Sequence, residues 1–237
     1  MDFLKLSSLA GEELDDHLAR GWYRMQQDIF TTNEVYDEDS GYFHPVWWLR
    51  FRIEDLRSHA SHQRMRKRNS RFRSEFLPKY IPPREHEVLY YIYRHFLPFS
   101  GYPSVQDALF DETGENVYDT NAIALYDGDT LIAVGIFDIG KKSGSSILHF
   151  YHPAYAKYSL GKYLILLTLD HLKSIGCSWY YPGYVVSGRP RFDYKLFLGL
   201  ESALYFEPQE ADWKPFDLKL LSVGLQEFDV SLDDEFD

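Results

Sequence analysis

Between Phe150 and Lys195 the chain gathers residue types that could hold a substrate and move a proton. His152, in the segment FYHP with Tyr151 before it, carries a side chain whose ordinary pKa of about 6.5 suits a proton acceptor near neutral pH. A lone histidine beside a strand end fits a structural role as well. Ser159, Leu160 and Gly161 open a strongly apolar helical stretch, and the unsatisfied N–H groups of a helix start would meet an anion or a developing oxyanion there. The plainer alternative is a capping serine followed by a close-packed glycine. Tyr184, Arg189, Arg191, Tyr194 and Lys195 form a cationic, aromatic cluster, in which guanidinium groups could grip a carboxylate through paired charge-assisted bonds. Solvated charges on a loop are the competing reading.

A second concentration of chemistry lies upstream, where RMRKRNSRFR places six basic side chains in ten positions of a chain with net charge −11. Residues 50 to 73 carry nine Lys/Arg against Glu54 and Asp55, a local balance of +7, so the remainder sums to −18. Glu12, Glu13, Asp15 and Asp16 and six acids in the closing QEFDVSLDDEFD supply much of that. A basic island on an acidic body offers one docking patch for a polyanion while repelling it elsewhere. Arg64, Arg66, Lys67, Arg68 and Arg71 would be its contacts; a solvated helix face paired with the acidic tail is the alternative. His59 and His62 stand three apart, but no third ligand accompanies them for a metal.

Composition narrows the setting. With 237 residues, 45% of them apolar, the chain can bury a core, and its 17% aromatic content suits core packing or stacking on planar ligands. Cys177 is the single cysteine, so no intrachain disulfide forms and a reducing compartment is expected. The opening MDFLKLSSLAGEELDD has neither the basic nor the apolar region of a signal peptide, and no long uncharged apolar run suggests a membrane span. The expectation is a cytoplasmic protein with no membrane partner.

These residues need elements to hold them. EELDDHLARGW reads as a helix ended by Gly21, with strand and loop after it. HPVWWLRFRI alternates as a half-buried strand with Arg50 and Arg52 on its polar face. IEDLRSHASHQRMRKRNSRF continues helically, which would line Arg64, Arg68 and Arg71 along one side. KYIPPRE breaks the chain, and a domain boundary is expected there, at residue 80. EHEVLYYIYRHFLPF and YPSVQDALFD read as helices, and NAIALYDGDTLIAVGIFDIG as a hairpin turning at Asp127-Gly128-Asp129. After the loop GKKSGSS come the strand SILHFYHP, the helix SLGKYLILLTLDHLKSIG and the strand CSWYYPGYVV. The fold class expected is α+β. The order strand, strand, loop, strand, helix, strand resembles the acyltransferase fold of the Gcn5-related N-acetyltransferase type (GNAT-like). A small N-terminal domain over 1–80 and a GNAT-like acyltransferase domain over 81–237, with a mixed, mostly antiparallel sheet, are therefore expected.

Several segments together resemble one family. Phe150-Tyr151-His152-Pro153, Ser159-Leu160-Gly161, Tyr180-Tyr181-Pro182-Gly183-Tyr184 and Arg189-Pro190-Arg191-Phe192-Asp193-Tyr194-Lys195 are similar, in order and spacing, to elements of arginyl-tRNA–protein transferases and their bacterial leucyl relatives. Gly21-Trp22-Tyr23-Arg24 and HASHQRMRKRN extend the likeness to the N-terminal half. The chain departs from the family pattern where His152 replaces an aspartate and Arg189 a cysteine. The N-terminal cysteine cluster is also absent, with Phe43-His44-Pro45-Val46-Trp47-Trp48 near its place. No iron–sulfur cluster and no other cofactor is therefore expected, because such centres need thiolates.

The resemblance implies a reaction between charged tRNA and an acceptor protein, the two expected partners. The acceptor's α-amine attacks the ester carbonyl of arginyl- or leucyl-tRNA, marking the protein for an N-degron pathway. An α-amino group has a pKa of about 7.7 to 8.0, so the enzyme's tasks are orientation, oxyanion stabilisation and proton acceptance. On this likeness His152, Tyr151 and Tyr184 are the catalytic candidates. Arg64, Arg66, Lys67, Arg68, Arg71, Ser159, Leu160 and Gly161 would bind the tRNA and donor, and Arg189, Arg191, Tyr194 and Lys195 the acceptor. Two other readings stay open: an acetyl-CoA-dependent N-acetyltransferase, although bulky Tyr163 stands where a phosphate loop needs a small residue, and a non-catalytic relative that binds tRNA or N-degrons.

Overall fold

The computed structural model describes residues 1–37, 40–97 and 101–222, so the closing acidic tail lies outside the described residues. Strand β1 (Asp2–Leu4) pairs with β3 (Asp28–Thr31), which pairs with β2 (Tyr23–Met25), in a small sheet. Helix α1 (Gly11–Ala19) lies between β1 and β2 in sequence and buries Leu14 and Leu18. It stops where expected, with Gly21 in the left-handed region at φ 77° and its N–H on the Leu18 carbonyl.

Among the described residues nine strands build the main sheet. They are β4 (Glu34–Asp37), β5 (Tyr42–Arg52), β6 (Arg73–Leu77), β7 (Thr120–Asp127), β8 (Thr130–Ile139), β9 (Ser143–Tyr151), β10 (Trp179–Val186), β11 (Ala203–Glu207) and β12 (Asp212–Pro215). Their order is β12-β11-β5-β10-β9-β8-β7-β6, with β4 added along β5. Every pairing described is antiparallel except β9 with β10. This is a mixed α/β protein with a mostly antiparallel sheet.

The expected boundary at residue 80 runs through this sheet, because β5 sits between β11 and β10 and β6 forms the far edge on β7. The residues of β5 explain why. Leu49 and Phe51 face one core and Trp48 another, so the strand is apolar on both sides and belongs in a sheet interior. Arg50 is correspondingly not on a polar face: its guanidinium lies between the rings of Trp179 and Trp213, 4.1 and 4.4 Å from their centroids. Arg52 alone is exposed there.

Helices cover both faces. On β7 and β8, Ile123, Leu125, Ala133 and Phe137 turn to the core under α5 (Leu160–Ser174), while Ala122, Val134 and Ile136 turn to the core under α3 (Arg84–Arg94) and α4 (Val105–Leu109). Gly144 lets α5 approach closely, since a Cβ there would stand 2.5 Å from the Leu172 methyl carbons. The predicted long basic helix is shorter: α2 covers Ala60–Asn69 only, and the chain then turns into β6. Arg71 falls beyond the helix, so the three arginines do not share one helical side. Strand β9 takes in Ser143 to Ser146, which the sequence suggested as loop, because Ser143 and Ser145 are buried in the sheet.

Candidate active site

The parallel pairing of β9 and β10 runs from Trp179 opposite Ser143 to Tyr181 opposite Ser145 and then ends. Beyond that point β9 continues along β8 as far as Tyr151 opposite Ala133, and β10 continues along β5 as far as Val186 opposite Val46. The sheet therefore opens into a V. Local chemistry accounts for the parting: Pro182 has no N–H to give to a ladder, and Gly183 adopts φ 90°, which side-chain-bearing residues rarely adopt. The β10–β5 register shifts between Tyr180 and Gly183 at the same place.

Inside the V lies Lys195, 8% exposed. Its Nζ donates to the Tyr184 carbonyl at 2.7 Å and sits 5.1 to 5.7 Å from the ring centroids of Phe192, Tyr194 and Tyr184. Among the described residues no carboxylate forms an ion pair with it. Burial pushes its pKa down to about 7, partly offset by Asp193. His149 on β9 has a buried Nε2 with no hydrogen-bond partner, and its pKa falls to about 4 through burial and the nearby Lys195. The imidazole is thus neutral at physiological pH.

Hydroxyls complete the lining. Ser146 Oγ and Tyr180 Oη are 2.5 Å apart across the start of the split, and Tyr151 packs on Tyr93 of α3 with ring centroids 5.2 Å apart. Burial raises the pKa values of Tyr93, Tyr180, Tyr184 and Tyr194, so these phenols remain protonated donors at neutral pH. The arrangement gathers an amine, an imidazole and neutral hydroxyls where the two strands part.

The turn from β9 to α5 holds a second group of the expected residues. His152 Nδ1 accepts the Ala154 N–H at 3.3 Å and its ring meets Tyr155, so it is engaged within the turn rather than against Lys195. Ser159 precedes α5 with φ 55° and makes no side-chain cap bond, which removes the simple capping explanation for it. Leu160 is fully buried, leaving only its backbone N–H to face a ligand; a Cβ on Gly161 would meet only Tyr151, at 3.9 Å. Tyr163, whose bulk argued against a phosphate loop, points into the core and is 7% exposed.

Helix α2 clamps this turn. Arg68 and Asn69 both donate to the Tyr158 carbonyl, at 2.9 and 3.0 Å. Arg66 pairs with both oxygens of Asp170 on α5, and Arg71 pairs with Asp127 at 3.3 Å, a carboxylate that also accepts from Tyr155. Arg64 and Lys67 are exposed, and among the described residues neither has an ionic partner. The basic segment thus divides into cations that hold the protein together and cations that face solvent.

Arg189 is engaged with β4 and β5 rather than with Lys195. It forms an ion pair with Asp37 and lies 3.4 Å from His44 Nε2, while His44 Nδ1 contacts the Ser187 carbonyl at 3.0 Å. These residues do not fit a metal centre at that place: a guanidinium fills it and Cys177 is buried elsewhere. His62 is occupied by the Phe197 carbonyl and His59 by Glu201, and among the described residues no cluster of three or more His, Cys, Asp or Glu could hold an ion. Arg191 is exposed at the rim, with its guanidinium 5.0 Å from the Phe192 ring centroid.

Sequence reasoning missed His149 and Tyr93. A histidine within the apolar strand SILHFY was a signal for the first; nothing local marked the second, which reaches the cleft from another helix.

Known proteins are similar to parts of the chain. The family model described as "Arginine-tRNA-protein transferase, C terminus" matches residues 57–202. An aspartate/glutamate leucyltransferase of Hyphomonas neptunium is 40% identical over 65 residues, covering 27% of this chain and 26% of that one. One from Vibrio campbellii is 26% identical over 148 residues, 62% of this chain and 63% of that one. Arginyl-tRNA–protein transferase 1 of Saccharomyces cerevisiae is 36% identical over 76 residues, 32% of this chain and 15% of that one. The first three curated relatives are matched over only 26%, 27% and 36% of their lengths.

Proposed function

Because the chain belongs to the arginine-tRNA-protein transferase family through its C-terminal family region, residues 57–202, we propose that it transfers an amino acid from charged tRNA to the α-amine of an acceptor protein. The observation that carries this reading is that the matched stretch contains the V between β9 and β10 together with the buried Lys195 inside it. The parted parallel strands are also what supports a GNAT-like acyltransferase core, in which a bound ester would lie in the split with its carbonyl exposed to attack.

In this reading Arg64 and Lys67 contact tRNA phosphates, and the turn at Ser159 to Gly161 receives the 3′ end of the tRNA. Arg66, Arg68 and Arg71 support the turn from behind. The acceptor enters past Arg191 and Tyr194, whose cationic rim suits an acidic N-terminal residue. Tyr151 and Tyr184 shape the cleft through their rings and hydroxyls. Neither a metal nor an organic cofactor enters this chemistry, since the amine, the ester and a proton carrier suffice. N-degron marking in the cytoplasm is the corresponding cellular role; no helix among the described residues is long and apolar enough to cross a membrane.

Incubation with a mixture of aminoacyl-tRNAs and peptides bearing Asp, Glu or other N-termini tests the proposal, with mass spectrometry reporting which residue is added. Gain of arginine or leucine on an acidic N-terminus is expected. Absence of transfer across the panel would overturn it, in favour of a binding relative if tRNA still binds, or of an acetyltransferase if acetyl-CoA binds tightly instead.

A further inference from the structure

We propose that Lys195 is the proton carrier of the transfer reaction: its neutral Nζ accepts a proton from the attacking α-amine, and its ammonium then returns a proton to the leaving ribose oxygen. This role rests on the transfer reading above. It places catalysis on a residue whose sequence context suggested acceptor binding, and takes it from His152, whose Nδ1 is committed to the Ala154 N–H.

The geometry is unusual for a lysine. An ammonium that is buried ordinarily has a carboxylate against it, because desolvating an unpaired charge is costly. Lys195 is 8% exposed, has no ion pair among the described residues, and donates one hydrogen bond, to the Tyr184 carbonyl. Removal of a proton therefore relieves the desolvation penalty while that bond persists. The rings of Phe192, Tyr194 and Tyr184 counterbalance this by favouring the charged form through their faces. Both protonation states are consequently accessible, in keeping with a pKa lowered to about 7.

The groups facing Lys195 support reversible protonation. Asp193 and Tyr194 adjoin it in its own segment, Asp193 favouring the ammonium. From β9 comes His149, held neutral at physiological pH, and from β10 Tyr184, whose burial-raised pKa keeps it a phenol and beside which Arg191 adds positive potential. Tyr93 of α3 and Tyr151 of β9 form the next layer, and burial keeps Tyr93 a phenol. None of these is a better base at neutral pH than the amine itself.

The step balances without another reactant. The amine lone pair forms a C–N bond to the ester carbonyl carbon, the carbonyl π pair moves to oxygen, and an N–H proton passes to Lys195 Nζ. The oxyanion then re-forms C=O, the ester C–O bond breaks, and Nζ gives a proton to the departing ribose oxygen.

Two measurements on the full chain test this. Labelling of Lys195 by an amine-reactive acylating reagent, followed by mass spectrometry across pH, is expected to show a midpoint near 7; a midpoint near the ordinary lysine value of about 10.4 would overturn the proposal. In single-turnover transfer, Lys195→Met and Lys195→Arg are both expected to lose roughly 10²- to 10⁴-fold in rate with tRNA affinity within a few-fold of wild type, circular dichroism showing that each is folded. Lys195→Arg keeps the charge but cannot give up a proton, so wild-type turnover in that variant would remove this role alone. Wild-type protein inert toward every charged tRNA would remove the transfer reading and this role with it, while the labelling midpoint would still report the state of Lys195.

Discussion

Asn69 on α2 donates its side-chain amide to the Tyr158 carbonyl, 3.0 Å away, and thereby fixes the last residue before Ser159 from a helix remote in sequence. The amide is fully buried, and Arg68 shares the same acceptor at 2.9 Å. Asn69→Ala is expected to destabilise the fold by about 1–3 kcal/mol, the range for losing a buried hydrogen bond with its packing. Urea unfolding of the variant measures this. A change below a few tenths of a kcal/mol would mean that Arg68 alone secures the turn.

Arg24 and Asp138 form an ion pair 2.8 Å long in which both side chains are at most 1% exposed. Arg24 also donates to Thr120, to the Leu109 carbonyl and to the Gln26 carbonyl, joining β2 to β7 and β8. Arg24→Met leaves Asp138 buried without its cation and is expected to cost about 3–5 kcal/mol. Adding Asp138→Leu removes the stranded carboxylate and is expected to recover part of the loss, a pattern readable in a double-mutant cycle.

His86 is 1% exposed, and burial lowers its pKa to about 4. A depressed basic pKa means the unfolded chain binds more protons between pH 4 and about 6.5. Stability from this site is therefore present above 6.5 and declines as pH falls through that window, by up to roughly 3 kcal/mol. His149, lowered to about 4 as well, acts in the same direction. His86→Gln is expected to flatten the pH profile of thermal or urea unfolding between pH 4 and 6.5, leaving the part due to His149. An unchanged slope would contradict the assignment.

Two exposed cations of α2, Arg64 and Lys67, differ in role from Arg66, which pairs with Asp170. Alanine at both Arg64 and Lys67 is expected to weaken tRNA binding and make the slope of log affinity against log salt shallower by roughly 1.5, the loss of two phosphate contacts. Arg66→Ala removes the contact with Asp170, whose side chain is 54% exposed, and is expected to cost at most about 1 kcal/mol of stability while leaving the salt slope in place. Filter binding across a salt series separates the two variants.

Local pattern made much of the architecture legible. The β7–β8 hairpin, α3 and α5 follow from period and turn chemistry, which act over a few residues. The placing of β5 between β10 and β11 did not follow, because sheet neighbours distant in sequence are selected by tertiary packing, and the strands β11 and β12 carry too few alternating residues to stand out. For the same reason RPRFDYK shows Lys195 only as one cation of an acceptor-binding cluster: the enclosing rings of Tyr184, Phe192 and Tyr194, which make it a buried amine, are visible only in the fold. The arginines of RMRKRNSRFR showed their number in the sequence, but their division between Asp170, Asp127 and open solvent depends on where α5 and β7 lie.

The position of β5 also dictates an order of events during synthesis. Trp47 pairs with Val185 and Phe51 with Ala203, so a strand that leaves the ribosome early finds these two neighbours, β10 and β11, only after nearly all of the described chain has followed. β4 can pair early with Tyr42 to Pro45 and Tyr23 can stack on Trp48, but until then the stretch around Leu49 and Phe51 lacks both β10 and β11, the condition in which nascent chains aggregate or engage chaperones. A nascent chain stalled before Ala203 would hold β5 in that condition, whereas the β7–β8 hairpin, with partners adjacent in sequence, could already have formed.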